Sequence, residues 1–521
     1  EHDLGLSSAR RVALADRDSI AVAEGAAAIA AFGAAIEEWK LLAAAALNGM
    51  GREAIRLASA YACERQQFGQ AIGAYQALSH PLADLATEIE AGKLMIWQAI
   101  RAIADGEGTA AADVSLVLWW NATTAARAGQ QGIQTFGGYG LTTEYDIYLY
   151  NLRAKALPLP LGDVNRLLEE AGERLYGHVA AALPEAGEVP IEFGFGEEAD
   201  TYGAEVDAFF RENLTPELKA RAHFSWDGHD AGLHRKLGEA RMLFPTWPEN
   251  EGGRGLGHYA AAAGLHAWSS HGWTTFASGT TAIIAEVVRR FGSETAREEV
   301  LSRIVAGEII CSLGFSEPGS GSDVFAAQCK ATRDGDGWRI DGTKMFTSGA
   351  NIASHVLMLA RTNPDVPKHK GLTMFIVPLD GEGVTIQPVH TFMEERTNIT
   401  FYDGVRIPDA YRLGDVDAGV RVMSAALEIE QASGFAQGME EMLHAAEELC
   451  REVRRNGRPL IADGAAQARL ARTRASVNAC KMLYLRALWA GIEGKSHPAY
   501  GPMSKMFSTE KFLAEADDLV N

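Results

Sequence analysis

The sequence predicts a mainly helical α+β protein with several domains, and three observations support this prediction. The chain has 521 residues, more than the ~100–200 residues of one typical domain. Ala-, Leu- and Glu-rich segments with apolar residues at helical spacing fill most of it. Residues 309–413 instead form short apolar runs separated by Gly, Pro and Asp-Gly turns, which is typical of strands. We therefore expect helical domains on both sides of one β-rich domain.

The helical and β-rich regions follow one another in a definite order. An alternating stretch, "RRVALAD", lies within residues 1–19 and is typical of a strand. A helical region covers residues 20–178, and residues 179–200 mix Pro, Gly and acidic residues without periodicity, which predicts a linker. A second helical region precedes the β-rich block, and a third begins near residue 415. The chain starts with Glu1 and ends in a helical pattern, so we expect it to be a fragment of a longer protein.

The β-rich block contains its own turn signals. "ATRDGDGWRIDGTKMFTS" predicts a hairpin with Asp-Gly turn chemistry, and "TMFIVPL" and "VTIQPV" predict short strands that end at Pro or Gly.

Composition and charge exclude several classes of protein. Hydrophobic residues make up 47% of the chain and charged residues 22%, which excludes a disordered chain. The net charge of −20 argues against a broad nucleic-acid surface but leaves room for a local basic pocket for a phosphorylated ligand. No apolar run reaches the ~20 residues of a membrane helix. The five cysteines are scattered without C-x-x-C spacing, so we expect a reducing, cytoplasmic setting with no disulfide framework and no metal site.

The loop "FSEPGSGSD", residues 315–323, is the densest local signal. Small residues after an apolar run allow backbone N–H groups to approach a phosphate or a ring closely, although most Ser/Gly loops are only loops. The loop lacks the lysine of a P-loop. A second Gly-rich stretch, "GGRGLG" at residues 252–257, does not follow a strand, so a plain turn is the better interpretation. The sequence shows no Ser-His-Asp or H-E-x-x-H arrangement.

Several motifs in order and spacing resemble the flavin-dependent acyl-CoA dehydrogenases. "GEIICSLGFSEPGSGSD", "WRIDGTKMFTSGAN" and "FYDGVRIPDAYRLGD" are similar to the family's middle domain, and "PENEGGRGLG" to its N-terminal helical domain. "ACERQQFGQAIGAYQALSHPLADLATEIEAGKL" and "GIQTFGGYGLTTEYDIYLYNLRAK" are similar to its C-terminal helical domain, yet they come first. This order predicts a tandem fusion that resembles the dehydrogenases of bacterial steroid side-chain breakdown.

The resemblance implies the acyl-CoA dehydrogenase fold: a helical domain, a β-barrel-like middle domain and a four-helix-bundle domain, here preceded by an extra C-terminal-type bundle. We expect the following boundaries: 1–19, end of the first-copy β domain; 20–178, first-copy C-terminal bundle; 179–200, linker; 201–306, second-copy N-terminal helical domain; 307–414, second-copy β domain; 415–521, second-copy C-terminal helical domain, incomplete.

The resemblance also implies FAD as cofactor and α,β-dehydrogenation of an acyl-CoA, in which a glutamate removes the α-proton and the β-hydrogen leaves as hydride to flavin N5. Ser316 matches a hydroxyl that bonds the edge of the flavin ring, and Phe346 matches the aromatic residue packed against the ring. Ser348 matches the hydroxyl near N5. Gly321 and Ser322 match the turn where the flavin and the thioester approach each other.

The resemblance also predicts the catalytic base. Glu430 matches the position on the first helix after the β domain, and a carboxylate beside an apolar pocket has a raised pKa that suits a general base. The usual following arginine is replaced by Gln431. The family's alternative position, near its C-terminus, would lie beyond residue 521. In the first copy Trp39 and Leu161 occupy the two matching positions, so we expect that copy to be inactive.

The stretch "ERQQFG", residues 64–69, matches an R-x-x-F-G motif whose arginine binds the flavin pyrophosphate of the neighbouring subunit. Arg65 and Phe68 carry this match, and the Q-x-x-G-G segment adds Gln134, Gly137 and Gly138. The equivalent place in the second copy reads "REVRRNGRPL", without the Phe-Gly step. We therefore expect one FAD per tandem chain.

The resemblance further implies an acyl-CoA substrate, with a steroid side chain or a branched acyl group as the expected class. The acceptor it implies is an electron-transfer flavoprotein, and the assembly a homodimer of tandem chains, with no nucleic-acid or membrane partner. Two alternatives stay open from the sequence. One is reoxidation by oxygen, as in acyl-CoA oxidases, and the other is a non-catalytic partner of an active dehydrogenase.

Overall fold

The computed structural model describes residues 24–221, 226–273, 276–393, 395–431 and 434–520, with the backbone alone at 429–431. The predicted end of a β domain at residues 1–19 lies outside the described residues. The helices are α1 (Gly25–Glu64), α2 (Gln76–Asp105), α3 (Ala110–Phe136), α4 (Ile147–Ala156), α5 (Arg166–Tyr176), α6 (Glu197–Asn213), α7 (Pro216–Arg221), α8 (Ala231–Glu239), α9 (His258–Ser270), α10 (Phe276–Phe291), α11 (Glu294–Ala296), α12 (Ser302–Val305), α13 (Gly419–Gln431), α14 (Ala436–Glu452), α15 (Gly464–Ile492) and α16 (Tyr500–Val520).

The strands are β1 (Gln66–Gln67), β2 (Gln70–Ala71), β3 (Cys311–Gly314), β4 (Lys330–Asp334), β5 (Gly337–Lys344), β6 (His355–Arg361), β7 (Leu372–Pro378), β8 (Val384–His390), β9 (Arg396–Pro408), β10 (Arg412–Leu413), β11 (Arg454–Arg455) and β12 (Arg458–Pro459). The mainly helical α+β class predicted from the sequence is confirmed. Among the described residues, no helix combines the length and apolarity that a membrane crossing requires.

The chain forms two compact units, and one of them is built from two separate segments of the chain. The first unit, here called the helical unit, joins the described residues up to 193 with those from 434 onward, and the second, the mixed unit, contains the described residues between 194 and 431.

The helical unit has one apolar core built from two distant segments. Leu116 on α3 and Leu168 on α5 belong to the same buried cluster as Leu470 and Leu483 on α15. Trp120 meets Phe507 of α16 edge to face, with ring centroids 6.0 Å apart. Because α15 and α16 bury their apolar faces on helices some 350 residues earlier in the chain, these helices depend on the first segment for their core.

Polar contacts also connect the two segments of the helical unit. The Tyr176 hydroxyl donates to Glu447 at 2.8 Å, and Arg486 donates to Glu90 at 2.7 Å. These bonds pair α5 with α14 and α15 with α2.

A buried ionic cluster holds α1 against α5. Lys40 donates to Glu37 at 2.9 Å and to Glu170 at 2.7 Å, and Arg174 donates to both carboxylates. Burial raises the pKa of the Glu37 carboxyl, but the hydrogen bonds from Arg174 and Lys40 outweigh this effect, so the net pKa is lowered. Two cations balance two anions, which allows Glu37, Lys40 and Arg174 to be buried, while Glu170 stays about one third exposed.

The mixed unit is organised around an eight-stranded sheet. Its strand order is β10-β7-β6-β4-β5-β9-β8, and β3 pairs in parallel with β6. The hairpin predicted from the Asp-Gly turn is β4–β5, with Asp334 paired to Gly337. Every residue of β6 is buried, because apolar residues cover both faces of the sheet.

The two faces of the sheet carry separate cores. Leu357 and Leu359 pack with Ile284 and Val288 of α10, whereas Val356 and Met358 face a second cluster that contains Trp338. The period of two along β6 therefore divides its side chains between the helices and the opposite core. A further cluster, with Tyr202, Phe210, Leu237 and Trp268, joins α6, α8 and α9.

Candidate functional site

Two segments that the sequence singled out lie side by side in the mixed unit. The loop that follows β3, residues 315–323, meets the turn that follows β5, residues 345–349. Met345 N donates to the Ser316 carbonyl at 2.9 Å, and the Ser312 hydroxyl donates to the Ser348 carbonyl at 2.6 Å. The fold therefore brings Ser316 and Ser348, which are 32 residues apart in sequence, onto adjacent backbone.

A buried lysine fastens these two segments together. Lys344, the last residue of β5, is 0% exposed and donates to the carbonyls of Phe315 at 3.3 Å and Leu359 at 2.6 Å. Its third bond goes to the Glu317 carboxylate at 2.7 Å. All three donors of the ammonium group are thus satisfied, which is the condition for burying such a charge.

Glu317 is the loop residue of this ion pair, and the Lys344–Glu317 pair is here called the clamp. Its carboxylate accepts from the backbone N–H groups of Gln328 at 2.6 Å and Cys329 at 3.0 Å as well as from Lys344. Two reciprocal backbone bonds, Glu317 N to the Ser320 carbonyl at 2.8 Å and Ser320 N to the Glu317 carbonyl at 3.1 Å, close the loop into a tight turn. The exposed residues Gly321 and Ser322 follow directly, and space is open at the Cα of Gly321.

Phe346 combines an unusual backbone with an exposed ring. Its φ is +56°, and its side chain is 61% exposed. A bulky residue in the left-handed region costs on the order of 1–2 kcal/mol. Gly349, also at positive φ, shapes the same turn, because a Cβ there would lie 2.1 Å from the Trp226 ring. The turn therefore holds an aromatic face open beside Ser348.

Glu430 lies in the last turn of α13, and its side chain lies outside the described residues. The helix is anchored on the sheet through Val422, Met423 and Ala426, which are buried with residues of α10.

The helical unit contains the other predicted cofactor residues. Arg65 follows α1 directly and is exposed. Phe68 and Gly69 form the turn of the β1–β2 hairpin with φ values of +51° and +85°, and the Phe68 ring is 93% exposed. Positive φ at both central residues is the geometry of a type I′ turn, for which Phe is a poor choice.

Gln134, Gly137 and Gly138 lie at the end of α3, near the end of α1. All three are exposed, and Gly137, with φ +60°, ends the helix. The rings of Tyr61 on α1 and Phe136 on α3 stack with centroids 4.2 Å apart. This stack joins the helix end that precedes Arg65 to the helix end that precedes Gly137.

The first-copy positions that match the family's base are apolar and packed. Trp39 and Leu161 are both partly buried against the core of the helical unit. Glu38, one residue from Trp39, is exposed. Neither matching position therefore offers a carboxylate.

Sequence reasoning missed the polar residues that support the site. Glu317 and Lys344 stand inside quoted motifs, but their pairing joins a loop to a strand and leaves no local pattern. Thr397 on β9, whose hydroxyl lies 2.9 Å from that of Ser348, was also missed. One available signal was Lys344 itself, a charged residue within a strand whose neighbours Trp338 and Ile340 are buried.

Comparison with known proteins matches family models to most of the chain. Models of the acyl-CoA dehydrogenase family match the chain at residues 29–176 and 417–521 for the C-terminal domain, 312–401 for the middle domain and 196–308 for the N-terminal domain. This order, with a C-terminal-type segment first, fits a tandem fusion.

Two relatives from Mycobacterium tuberculosis are acyl-CoA dehydrogenase FadE34 and acyl-CoA dehydrogenase FadE26. FadE34 is 32% identical over 416 residues, which cover 77% of this chain and 54% of the relative. FadE26 is 31% identical over 245 residues, which cover 44% of this chain and 59% of the relative. The chain thus spans between half and three fifths of the length of these relatives.

Two solved structures have similar folds. A steroid acyl-CoA dehydrogenase, Tcur3481-Tcur3483, is 27% identical with a TM-score of 0.57, covering 63% of this chain and 85% of that chain. The ChsE4-ChsE5 complex from Mycobacterium tuberculosis is 26% identical with a TM-score of 0.57, covering 64% of this chain and 86% of that chain.

Proposed function

This chain belongs to the acyl-CoA dehydrogenase family, and we propose that it carries out FAD-dependent α,β-dehydrogenation of an acyl-CoA thioester. The observation that carries this proposal is the clamped pair of segments in the mixed unit. Lys344 and Glu317 hold two hydroxyl-bearing segments together and leave the Phe346 ring exposed beside them.

The residues present fit a flavin. An isoalloxazine ring has an apolar face and a polar edge, and the site offers an exposed aromatic face at Phe346 with hydroxyls at Ser316 and Ser348. FAD, when bound, would supply the acceptor for the hydride that leaves the β-carbon of the acyl group. Gly321 and Ser322 lie on the open side of the loop, where a thioester has room to approach.

Glu430 is the proposed general base. Its carboxylate would take the proton from the α-carbon of the thioester while the electron pair of that C–H bond moves into the forming double bond. The position on α13 supports the assignment, since that helix is fixed on the sheet by buried apolar residues.

Arg65 and Phe68 are proposed to complete a cofactor site of the family type, together with Gln134, Gly137 and Gly138. A guanidinium binds a pyrophosphate with two charge-assisted hydrogen bonds, which makes the contact strong and directional. The strained backbone and exposed side chain of Phe68 support this role, because an edge contact with the Tyr75 ring, at 6.3 Å between centroids, leaves most of the Phe68 side chain open to a ligand. With Trp39 and Leu161 at the first-copy base positions, we propose one FAD and one active centre per tandem chain.

A steroid side chain or a branched acyl group is the proposed substrate class, because similar structures include a steroid acyl-CoA dehydrogenase. We further propose an electron-transfer flavoprotein as acceptor and a homodimer of tandem chains as the assembly.

The test begins with the absorption spectrum of the purified protein, which should show bound flavin at one FAD per chain. Acyl-CoA thioesters, from short chains to steroid side chains, are then added one at a time under anaerobic conditions. The substrate among them should bleach the flavin band. Protein that neither carries nor takes up FAD would overturn the proposal. Flavin that binds but that no thioester reduces would instead point to a non-catalytic partner.

A further inference from the structure

The hydroxyl of Thr397, which lies beside that of Ser348, has no assigned role. The Ser348 and Thr397 hydroxyl oxygens lie 2.9 Å apart, which is within hydrogen-bond distance. Ser348 belongs to the turn after β5, and Thr397 lies at the start of β9. Thr397 is 6% exposed, whereas Ser348 is only partly buried.

The difference in burial decides which hydroxyl donates. Among the residues that the structure describes, the Ser348 hydroxyl is the one side-chain partner of Thr397 Oγ1. If Ser348 donated, the buried Thr397 proton would be left without an acceptor, which is unfavourable for a buried donor. If Thr397 donates, its proton is used, and the proton of the partly exposed Ser348 hydroxyl is free to point away from Thr397, toward a ligand in the site. Thr397 O–H to Ser348 Oγ is therefore the favoured direction.

The backbone around Thr397 is rigid enough to hold this direction. Its neighbour Asn398 is 0% exposed and donates to the Thr347 carbonyl at 3.1 Å, while Thr347 N donates to the Asn398 carbonyl at 2.9 Å. The Asn398 amide also donates to Asn351 at 3.1 Å. The start of β9 and the turn that carries Ser348 are thus fixed to each other on both sides of the hydroxyl pair.

We propose that Thr397 is a positioning residue that orients the Ser348 hydroxyl as a hydrogen-bond donor toward flavin N5. This inference rests on the proposed function, in which Ser348 lies at N5. By donating to Ser348 Oγ, Thr397 occupies an acceptor position of that oxygen and polarises its O–H bond, which strengthens the bond that Ser348 gives. A flavin whose N5 accepts a stronger hydrogen bond is a better hydride acceptor.

The experiment uses protein reconstituted with ¹⁵N-labelled FAD and measures the N5 chemical shift and the flavin midpoint potential. Neither readout requires turnover. Thr397→Val removes the hydroxyl while keeping the shape, Thr397→Ser keeps the hydroxyl, and Ser348→Ala removes the direct donor. Thr400→Val is the matched control, because Thr400 is also buried on β9 but bonds Thr347 and Tyr402.

Thr397→Val should move the N5 signal part of the way toward that of Ser348→Ala and lower the midpoint potential. It should also slow flavin reduction by a reactive thioester about 3- to 10-fold, the effect of one weakened hydrogen bond. Thr397→Ser should restore all three values, and Thr400→Val should leave them at wild type. In a Ser348→Ala background, adding Thr397→Val should change the N5 signal no further.

A wild-type N5 signal and potential in flavin-loaded Thr397→Val would overturn the inference while leaving the proposed function intact. A wild-type protein that binds no FAD would overturn both the inference about Thr397 and the proposed function. If Thr397→Val does not fold, Thr397→Ala serves in its place, and an unshifted N5 signal there has the same meaning.

Discussion

The two small hairpins of the helical unit have the same turn conformation but differ in the residue at the first turn position. In β1–β2 the turn residues are Phe68 and Gly69, with φ values of +51° and +85°; in β11–β12 they are Asn456 and Gly457, with +53° and +79°. Asn-Gly is the preferred sequence for a turn of this type, whereas Phe pays a steric penalty there. The second hairpin follows the local rule, and the first breaks it.

The difference singles out Phe68 as the residue whose backbone is unfavourable for its side chain. Phe68 keeps a strained backbone and a side chain that is 93% exposed, and its one aromatic contact among the described residues is with the edge of Tyr75, so packing contributes little to its position. The matching place in the second hairpin carries Asn456, a favourable residue for this turn. Strain at an exposed aromatic residue is typical of a ligand contact. Four substitutions test this contrast between the copies, from the largest expected effect to the smallest.

Glu430→Gln should reduce thioester turnover about 10²- to 10⁴-fold, because the amide cannot accept the α-proton. Steady-state kinetics with a reactive acyl-CoA measures this loss, and the FAD content should remain at wild type. Glu38→Gln in the first copy is the matched control and should leave the rate unchanged. Equal losses from both variants would contradict the assignment of the base to the second copy alone.

Arg65→Ala should weaken FAD binding about 10- to 100-fold, the expected result of removing a charged hydrogen-bond donor from a pyrophosphate. Titration of apoprotein with FAD gives the dissociation constant. The corresponding hairpin supplies the control: Arg454 bonds the Gly457 carbonyl of its own turn at 3.4 Å, so Arg454→Ala should bind FAD as the wild type does. If the two variants bind FAD equally well, Arg65 is not the contact to the flavin pyrophosphate.

Phe68→Asn should have two effects of opposite sign. The free energy of unfolding should rise by about 0.5–1 kcal/mol, because Asn tolerates positive φ better than Phe. FAD binding should weaken, because the exposed ring is lost. Chemical denaturation and flavin titration measure the two effects, and tighter FAD binding in this variant would show that the ring is not a cofactor contact.

Asn456→Ala should lower the free energy of unfolding by about 0.5–1 kcal/mol and leave FAD binding unchanged. Ala lacks the side-chain amide that makes the left-handed region tolerable for Asn. The midpoint of denaturation reports this small change. A loss of bound flavin in this variant would show that the second hairpin also contributes to FAD binding, which would contradict the proposed difference between the two hairpins.

Local patterns predicted much of the fold and part of the site. The Asp-Gly turn predicted the β4–β5 hairpin, and the quoted motifs placed Ser316, Phe346 and Ser348 on segments that the structure brings together. The roles of these residues remain predictions. The polar contacts that support these residues could not be predicted from local patterns, because Lys344 and Glu317 are 27 residues apart and Thr397 and Ser348 are 49 apart. Such pairs depend on strand register and loop path rather than on neighbouring residues.

The sequence by itself determined the helical and strand periods, the turn positions and the family motifs, all of which arise from interactions within a few residues. It also determined the contrast between Phe68 and Asn456, since that contrast is one of side-chain identity. Only the tertiary structure decided that α15 shares a core with α3 and α5, and that a buried ammonium joins the two segments of the site. Those outcomes depend on packing and on the need of buried polar groups for partners, and both are properties of the whole folded chain.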